Sequence, residues 1–376
     1  MTVLGNLEIT PLPNKPLGAS VTLPRGVTDP SKLSDEDFKT LQAALETYLV
    51  LVIPNQAELP PTSQYDLTVR FDPSCQGSYG HDEKLFHHKE SVLAKDGKCI
   101  PNRTEVVMVG NGSFEAGHAP GMKAFELEHP SQSTFHKDVL TEEEKANGQT
   151  RFYRWHIDSA LYGLSPPKVT TLLGIQVPKC DEKQKIIYED NGEEFELVKG
   201  ATAFASGATA FKLLSPEDKE KALNTTVVYA PHPYIFIGKT KATSDGLTIV
   251  SEGKEIELNK LPPWEESKVK KLPMVWTNPT TGEHHLQVHG CCVYKLINNK
   301  TGEVMELEEA RKEVHRLMRP AISPQHIYAH AWNKGDLAIF FNQGVWHSVT
   351  GEFQPHEKRL MHQCNVASGI DPVTKA

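Results

Sequence analysis

Hydrophobic and polar positions follow two periods along this chain, one typical of helices and the other typical of strands. The clearest segment covers residues 34–53, where apolar residues recur at helical spacing behind a capping box formed by Ser34 and Asp37. The apolar run LVLVI then ends at Pro54. This segment therefore predicts one helix that leads directly into a short, buried strand.

The remaining pattern predicts mostly strands, with a few helices and several polar insertions. Further helices are predicted at 61–72, 215–223 and 305–318, strands at 104–109, 168–178, 337–341 and 359–366, and hairpins at 185–198, 236–258 and 288–304. No segment of about 20–50 residues repeats, which argues against a solenoid or a propeller. Because strands rarely alternate with helices, we expect a mostly β fold of the α+β class. Its core would be a double-stranded β-helix (jelly-roll) with flanking helices and long inserted loops.

Between residues 73 and 123 the periodic pattern weakens, and glycine, proline and polar residues indicate long loops. Loops of this length in a compact domain usually carry function. We therefore interpret residues 1–376 as one domain in which 73–123 forms a lid or insert at the active site. Four polar residues of this insert are candidate substrate contacts, although each also fits the role of an ordinary loop residue: Gln76, Tyr79, Asn111 and Lys123.

The charge and the cysteines narrow the class of protein. A formal net charge of −8 argues against a general binder of nucleic acid or anionic membranes. The sequence MTVLGNLEIT lacks the basic start and apolar core of a signal peptide, and no window approaches the ~18 apolar residues that a membrane span requires. The six cysteines show no C-x-x-C spacing, so we expect reduced thiols and a cytoplasmic protein. The oligomeric state stays open, with a homo-oligomer among the options.

The triplet His156-Ile157-Asp158 is the main candidate for chemistry. In an extended segment side chains two apart share a face, so His156 and Asp158 can bind one cation together. Such a triplet arises readily by chance among 17 His and 48 acidic residues. Its significance depends on His347, which lies near the end of an apolar, strand-like run far downstream. Two imidazoles and one carboxylate on one side of a metal, with open positions opposite, are the ligand set of non-haem Fe(II) oxygenases.

A predicted strand that begins at Arg359 follows His347 by 12 residues and presents Arg359, Gln363 and Asn365 on one face. An inward guanidinium close to His347 requires an anionic partner. A carboxylate-bearing ligand beside the metal would supply that partner. The alternative is that Arg359 pairs with an acidic neighbour at the protein surface.

In combination, these residues resemble the Fe(II)/2-oxoglutarate-dependent dioxygenases of the taurine dioxygenase type. The resemblance extends through PLGASVTLPRG, LVLVIPNQ, GATAFASGATAFKLLSPEDK and VWTNPTTGEHHLQVH, which occur in the same order as their counterparts. It implies that His156, Asp158 and His347 bind the iron and so act in catalysis. It also implies that Arg359 and Thr202 bind the distal carboxylate of 2-oxoglutarate, the cosubstrate that the enzyme uses together with O₂.

Gln363 marks a departure from taurine dioxygenase, which places at this position a second arginine that binds a sulfonate. A neutral amide suits a flat, polar and uncharged or weakly anionic molecule better, and the pair Gln363-x-Asn365 resembles the fungal xanthine dioxygenase branch of the family. That resemblance implies hydroxylation of xanthine at C8 to uric acid, a step of purine catabolism, with release of succinate and CO₂. Gln363 and Asn365 are then the expected substrate contacts, with Asn111 and Lys123 from the insert. Asn278, which stands where many relatives have His, has no explanation at the level of the sequence.

Two other functions remain open. The same chemistry could act on a sulfonate, an alkyl sulfate or another small metabolite, and the missing second arginine argues against this alternative. A non-enzymatic jelly-roll protein with a structural metal is the other alternative. A structural zinc site normally has four protein ligands, often cysteines, whereas this sequence offers three ligands and none of them is a cysteine.

Overall fold

The computed structural model describes residues 7–75, 77, 88–93, 97–178, 182–351, 353–354 and 356–375. Gln76 and Tyr79, two of the candidate substrate contacts, lie outside these residues. No helix in the described part of the chain is both long and apolar enough to cross a membrane.

Helices lie between and around the strands. The described α-helices are α1 (Asp35–Tyr48), α2 (Pro61–Arg70), α3 (Gln132–Phe135), α4 (Glu142–Ala146), α5 (Gly207–Leu213), α6 (Pro216–Leu223), α7 (Pro233–Phe236) and α8 (Leu307–Met318). Short 3-10 helices cover Pro30–Lys32, Leu258–Lys260, Glu266–Lys268, Gly290–Cys292, Arg319–Ile322 and Pro324–His326. The helices predicted at 61–72, 215–223 and 305–318 are confirmed as α2, α6 and α8. The prediction lacks α5, because the short segment GATAFKL carries too few turns for a helical period to show.

Most of the candidate site residues lie on strands. In chain order they are β1 (Glu8–Pro11), β2 (Ala19–Thr22), β3 (Val50–Ile53), β4 (Lys98–Ile100), β5 (Arg103–Phe114), β6 (Phe125–Leu127), β7 (Gln149–Thr150), β8 (Thr170–Gln176), β9 (Lys183–Ile187), β10 (Glu194–Val198), β11 (Thr202–Ser206), β12 (Thr225–Tyr229), β13 (Lys241–Ala242), β14 (Ile249–Val250), β15 (Lys271–Pro273), β16 (Val275–Thr277), β17 (His284–Leu286), β18 (Val293–Asn298), β19 (Val304–Met305), β20 (Ile327–His330), β21 (Leu337–Phe340), β22 (Val345–Val349) and β23 (Arg359–Asn365). The predicted hairpins are confirmed as the antiparallel pairs β9–β10, β13–β14 and β18–β19. Together with the helices, these strands confirm a mixed fold of the two types of secondary structure.

The capped helix α1 leads directly into the buried strand β3, as the sequence predicts. The Ser34 hydroxyl accepts a hydrogen bond from the Asp37 amide at 3.1 Å and donates one to the Asp37 carboxylate at 2.7 Å. The helix ends at Tyr48, and the capping residue Leu49 adopts a left-handed conformation with φ of 66° that turns the chain into β3. All four residues of β3 are buried.

The largest sheet places β23 in its interior. The strand order is β1-β2-β3-β21-β8-β23-β5-β4, and β6 also pairs with β5. β23 pairs antiparallel with both β5 and β8, so that Arg359 lies opposite Asn111 and Gln363 lies opposite Leu172. β5 runs from Arg103 to Phe114, so it is longer than the predicted strand at 104–109, and it lies entirely within the expected insert of residues 73–123.

A second sheet, in the order β20-β11-β22, carries two further residues of interest. Thr202 begins β11 and His347 lies in β22, where it pairs with Phe204 of β11. The phenyl ring of Phe204 lies 5.2 Å from that of Phe340 in β21 of the large sheet. The two sheets are therefore joined by packed aromatic side chains next to His347.

The two faces of β23 have different surroundings. Leu360, Cys364 and the following Val366 pack into an apolar cluster with Met108 of β5. Arg359 and Gln363 point the opposite way, into a cavity that the metal-ligand candidates also line. The prediction that Arg359 and Gln363 share an inward face of this strand is confirmed.

Asn278 has a structural role that the sequence did not reveal. Its side-chain oxygen accepts hydrogen bonds from the amides of Thr280 and Thr281, at 3.0 and 3.2 Å, and so closes the turn between β16 and β17. Its side-chain nitrogen donates to the Glu46 carbonyl of α1 at 3.3 Å. Asn278 therefore ties this hairpin to the first helix.

Candidate active site

His156 and His347 form an antiparallel backbone pair. The amide of His156 donates to the carbonyl of His347 and the amide of His347 donates to the carbonyl of His156, each at 2.9 Å. Residues that exchange both hydrogen bonds in an antiparallel pair present their side chains on the same face. The centroids of the two imidazole rings accordingly lie 4.0 Å apart.

Asp158 completes a three-residue cluster with these imidazoles. Its carboxylate lies on the same side as the two imidazole rings. The Asp158 Oδ1 atom is 4.0 Å from His156 Nε2 and 3.7 Å from His347 Nε2. One potential ligand atom from each residue lies within 4.8 Å of the other two, so the predicted meeting of residues 156, 158 and 347 is confirmed.

Hydrogen bonds outside the cluster orient each potential ligand. His156 Nδ1 donates to the Arg154 carbonyl at 2.9 Å, which leaves Nε2 with its lone pair towards the cluster. The Thr170 hydroxyl donates to Asp158 Oδ2 at 2.7 Å. Asn342 holds the Asp158 backbone, since its side chain accepts from the Asp158 amide and donates to the Asp158 carbonyl, each at 2.8 Å.

The electrostatic setting keeps both imidazoles neutral. Burial lowers the pKa of His156 well below its usual range, and the nearby His347 and Arg154 lower it further. Burial also lowers the pKa of His347, although the Asp158 carboxylate acts in the opposite direction. Neutral imidazole is the form that binds metals. The cluster therefore presents two neutral nitrogen ligands and one carboxylate at neutral pH.

An open cavity adjoins the cluster. Its volume is about 120 Å³. Polar side chains from five separate segments reach it, together with apolar side chains from β5, β8 and β22. The cavity therefore leaves room for ligands beside a metal held by the three residues.

Arg359 lies in the wall of this cavity and is 4% exposed. Burial lowers the pKa of its guanidinium to about 10, which still leaves it charged at neutral pH. Apart from Asp158, no acidic side chain is found among the described residues that line the cavity, and the Arg359 Nη2 atom has no hydrogen-bond partner within the described chain. A buried charge without a counter-ion is costly. The alternative of a surface ion pair for Arg359 is therefore wrong, and the site favours an anionic ligand.

Thr202 lines the same cavity and is fully buried. Its hydroxyl oxygen accepts a hydrogen bond from the indole nitrogen of Trp332 at 3.0 Å. The structure thus brings Thr202 and Arg359 to the cavity that His156, Asp158 and His347 share, as the family resemblance implies.

Gln363 also faces the cavity, but its side chain contacts the candidate metal ligand. Its amide nitrogen donates to Asp158 Oδ1 and Oδ2 at 3.2 and 3.3 Å. Asn365 lies two residues further along β23 and is fully buried, and its side-chain oxygen and nitrogen have no hydrogen-bond partner among the described residues. Asn365 does not line the cavity as the structure describes it.

The two described candidates from the insert lie away from the cavity wall. The side-chain nitrogen of Asn111 donates to the carbonyls of Gln354 and Glu357, at 3.1 and 2.9 Å, so both its amide hydrogens hold the segment before β23. Lys123 is exposed. Neither residue lines the described cavity. Substrate contact by Asn111 and Lys123 stays a prediction, for which this conformation offers no support.

Sequence reasoning missed several residues of the site. Arg154 lines the cavity and is buried, and the period of two that relates it to His156 could have revealed it. Thr170 and Trp332 gave no such signal. Each reaches the site through a hydrogen bond to a residue of another segment.

Comparison with known proteins agrees with this geometry. Residues 113–365 match the family model described as taurine catabolism dioxygenase TauD, TfdA family. The chain is 45% identical to an alpha-ketoglutarate-dependent xanthine dioxygenase of Emericella nidulans, over 96% of this chain and 97% of that protein. It is 40% identical to an alpha-ketoglutarate-dependent xanthine dioxygenase of Schizosaccharomyces pombe, over 99% of this chain and 91% of that protein.

Solved structures show the same fold. A putative alpha-ketoglutarate-dependent taurine dioxygenase from Burkholderia xenovorans superposes with a TM-score of 0.59 at 17% identity, covering 98% of this chain and 92% of that one. The matched family segment contains all three residues of the cluster together with Thr202 and Arg359. This chain belongs to the TauD, TfdA family of dioxygenases.

Proposed function

We propose that this protein is an Fe(II)- and 2-oxoglutarate-dependent dioxygenase that oxidises xanthine at C8 to uric acid, with release of succinate and CO₂. The observation that carries the proposal is a single cavity that has His156, Asp158 and His347 on one wall and the buried Arg359 on another. The substrate comes from the two fungal relatives, which are named xanthine dioxygenases and align over almost the whole chain.

The three clustered residues are the proposed iron ligands. Two neutral imidazoles and one carboxylate match the facial ligand set of Fe(II) oxygenases, which leaves three positions for other ligands. When bound, the iron would activate O₂ with electrons from 2-oxoglutarate, whose decarboxylation gives succinate. The protein's part is to hold the three ligands on one side, so that cosubstrate and O₂ bind on the other.

Arg359 and Thr202 are the proposed partners of the distal 2-oxoglutarate carboxylate. A carboxylate beside Arg359 would neutralise a guanidinium that is otherwise buried without a counter-ion. The Thr202 hydroxyl would donate to the same carboxylate. With both ends fixed, the cosubstrate is held in one orientation relative to the iron.

Gln363 and Asn365 are the proposed substrate residues. The oxidant of these enzymes is strong, so the attacked atom is selected by position. Amides both donate and accept hydrogen bonds, which suits the alternating N–H and C=O groups of a purine dione. Asn365 has both side-chain polar atoms without a partner among the described residues, a state that is costly unless a ligand or water satisfies them.

We also propose a jelly-roll core, one domain and a lid. The packing of Phe204 on Phe340 supports two facing sheets around the site, as a double-stranded β-helix requires. The cavity is lined by segments from residue 93 to residue 363, which supports a single domain. Leu93 and Gly110 from the 73–123 insert line the cavity, which supports a lid role for that segment.

We also propose a cytoplasmic location, because the described cysteines are free thiols.

Turnover with a panel of substrates tests the function. Purified protein is incubated with Fe(II), 2-oxoglutarate, O₂ and either xanthine, hypoxanthine or taurine, and succinate is measured together with the ultraviolet absorption of urate. We expect succinate and urate in equal amounts with xanthine alone. Succinate formation with taurine but not with xanthine would support the sulfonate alternative instead.

A spectroscopic measurement tests the metal site separately. Fe(II) and 2-oxoglutarate added without O₂ should give a visible charge-transfer band, because the metal keeps two positions open for the keto acid. The variant His156→Ala should lose both the band and turnover. As a control, His284→Ala changes a histidine that does not line the cavity, and it should keep both. A closed structural metal site would give no band in the unmodified protein.

A further inference from the structure

Trp332 lies behind the cavity wall, on the segment that follows β20. It does not line the cavity itself, but its indole nitrogen donates a hydrogen bond to the Thr202 hydroxyl oxygen at 3.0 Å. Thr202 and Trp332 are 130 residues apart in the chain. The contact exists because β11 and β20 pair in a register that places Thr202 opposite His330.

This hydrogen bond fixes how Thr202 can act. An indole N–H can only donate, so the Thr202 oxygen must accept from Trp332. The hydroxyl hydrogen of Thr202 is then left for another acceptor. Within the described chain, no protein acceptor is recorded for it. The Thr202 hydroxyl hydrogen can therefore point into the cavity, where the buried guanidinium of Arg359 lacks an anionic partner.

Trp332 is itself held in place by a buried polar chain. The His330 ring packs edge to face on the indole, with centroids 4.6 Å apart and planes at 80°. His330 in turn contacts the Tyr328 hydroxyl at 2.7 Å through Nδ1 and the Asp336 carboxylate at 3.2 Å through Nε2. Because these contacts fix the orientation of the indole, its N–H keeps one direction towards Thr202. A freely rotating hydroxyl in the same place would not hold its direction in this way.

We propose that Trp332 is a positioning residue of the cosubstrate site, which acts by holding the Thr202 hydroxyl as a donor to the distal carboxylate of 2-oxoglutarate. The inference rests on the proposed function, since it requires Thr202 and Arg359 to bind that carboxylate. It predicts that removal of the indole N–H weakens 2-oxoglutarate binding, even when an aromatic ring is kept in place of the indole.

The variant Trp332→Phe keeps an aromatic ring and removes the donor. We expect the affinity for 2-oxoglutarate to fall about fivefold, the equivalent of one hydrogen bond of ~1 kcal/mol. The KM for 2-oxoglutarate should rise by a similar factor, whereas the KM for the purine should stay unchanged. Binding is measured directly, by anaerobic titration of the Fe(II) protein with 2-oxoglutarate, followed by calorimetry and by the charge-transfer band.

A double-mutant cycle separates positioning from a structural role. Thr202→Val should weaken 2-oxoglutarate binding, and Trp332→Phe should then add no further loss in the Thr202→Val background. Trp264→Phe is the matched control, because Trp264 also donates through its indole nitrogen, to the Leu258 carbonyl at 3.2 Å, but does not line the cavity. It should leave 2-oxoglutarate affinity unchanged.

Folding of the variants is checked by thermal melting. If Trp332→Phe does not fold, replacement of the indole of Trp332 by benzothiophene removes only the N–H and keeps the shape. Unchanged 2-oxoglutarate affinity in either protein, or additive losses in the double mutant, would overturn the positioning role. If the unmodified protein itself binds no 2-oxoglutarate, the proposed function fails instead, so the two failures are distinguishable.

Discussion

Gln363 donates from its amide nitrogen to both carboxylate oxygens of Asp158, at 3.2 and 3.3 Å. The residue expected to select the substrate is therefore in direct contact with a proposed iron ligand. One amide group can serve both purposes, because its nitrogen has two hydrogens and its oxygen remains available to accept from a ligand in the cavity.

Gln363→Met should raise the KM for xanthine about tenfold and leave the KM for 2-oxoglutarate nearly unchanged. Methionine keeps the approximate shape but removes the hydrogen bonds, each worth ~1 kcal/mol. Urate formation at varied xanthine and at varied 2-oxoglutarate gives both constants. Gln343→Met is the control, since Gln343 donates to the Pro166 carbonyl and does not line the cavity. Unchanged xanthine kinetics in Gln363→Met would leave Gln363 with its contact to Asp158 alone.

Thr170→Val should weaken metal binding about 10- to 100-fold, the usual effect of losing a hydrogen bond that orients a metal ligand. The Thr170 hydroxyl donates to Asp158 Oδ2 at 2.7 Å and so leaves Oδ1 facing the two histidines. Anaerobic titration with Co(II), followed by its visible absorption, measures the affinity. Thr350→Val is a matched control, because the buried Thr350 hydroxyl has no hydrogen-bond partner in the described structure. Equal Co(II) affinity in both variants would contradict the orienting role of Thr170.

Gly110→Ala should disturb the position of Arg359. Gly110 has φ of +156°, and a Cβ atom placed there would lie 1.8 Å from the Arg359 carbonyl oxygen. Since the obstacle is backbone, β5 and β23 must separate locally, which should lower both the melting temperature and the affinity for 2-oxoglutarate. Gly117→Ala isolates the effect of backbone strain, because Gly117 has φ of +92° with no atom within 4 Å of the added Cβ. If both variants bind 2-oxoglutarate equally well, the pairing of β5 with β23 does not determine the position of Arg359.

The pair of His315 and Asp245 should make stability depend on pH. His315 Nε2 lies 2.7 Å from Asp245 Oδ2. Burial alone would lower the pKa of His315, but the hydrogen bond and charge of Asp245 outweigh it and raise that pKa. Burial raises the pKa of Asp245, but the hydrogen bond and charge of His315, together with hydrogen bonds from Thr243 and the Leu247 amide, more than offset this, so that the pKa falls below its usual value.

The sign of the effect follows from these two directions. The raised pKa of His315 stabilises the fold fully below the unfolded pKa of about 6.5, and this contribution is lost as pH rises through the folded pKa. The lowered pKa of Asp245 stabilises the fold above its unfolded pKa of about 4. The pair is therefore most stabilising between roughly pH 4 and 6.5.

His315→Gln should accordingly lower the free energy of unfolding by about 1–3 kcal/mol near pH 5.5, because it removes a charged hydrogen bond, and by less at pH 8.5. Urea unfolding at the two pH values measures the difference. His326→Gln, which changes a histidine outside this pair, should show no such dependence on pH. An equal loss at pH 5.5 and pH 8.5 in His315→Gln would show that the ion pair does not form.

Local pattern determined a large part of this fold. The cap at Ser34, the helical spacing behind it and the apolar run before Pro54 predicted α1 and β3 together. The two faces of β23 also followed from alternation alone, which placed Arg359 and Gln363 on one side. These features depend on residues within a turn or two of one another, so their physical cause is contained in a short stretch of sequence.

The tertiary structure alone decided which of these residues meet. Gln363 reaches Asp158 across 205 positions of the chain, and Trp332 reaches Thr202 across 130. Such contacts depend on which strands pair and in which register, and a shift by one residue would turn each side chain to the opposite face. The sequence by itself thus named the proposed iron ligands and the arginine through a family likeness. The hydrogen bonds that orient these residues depend on strand pairing. They join segments that are far apart in the chain, and the sequence does not show which distant segments lie close together.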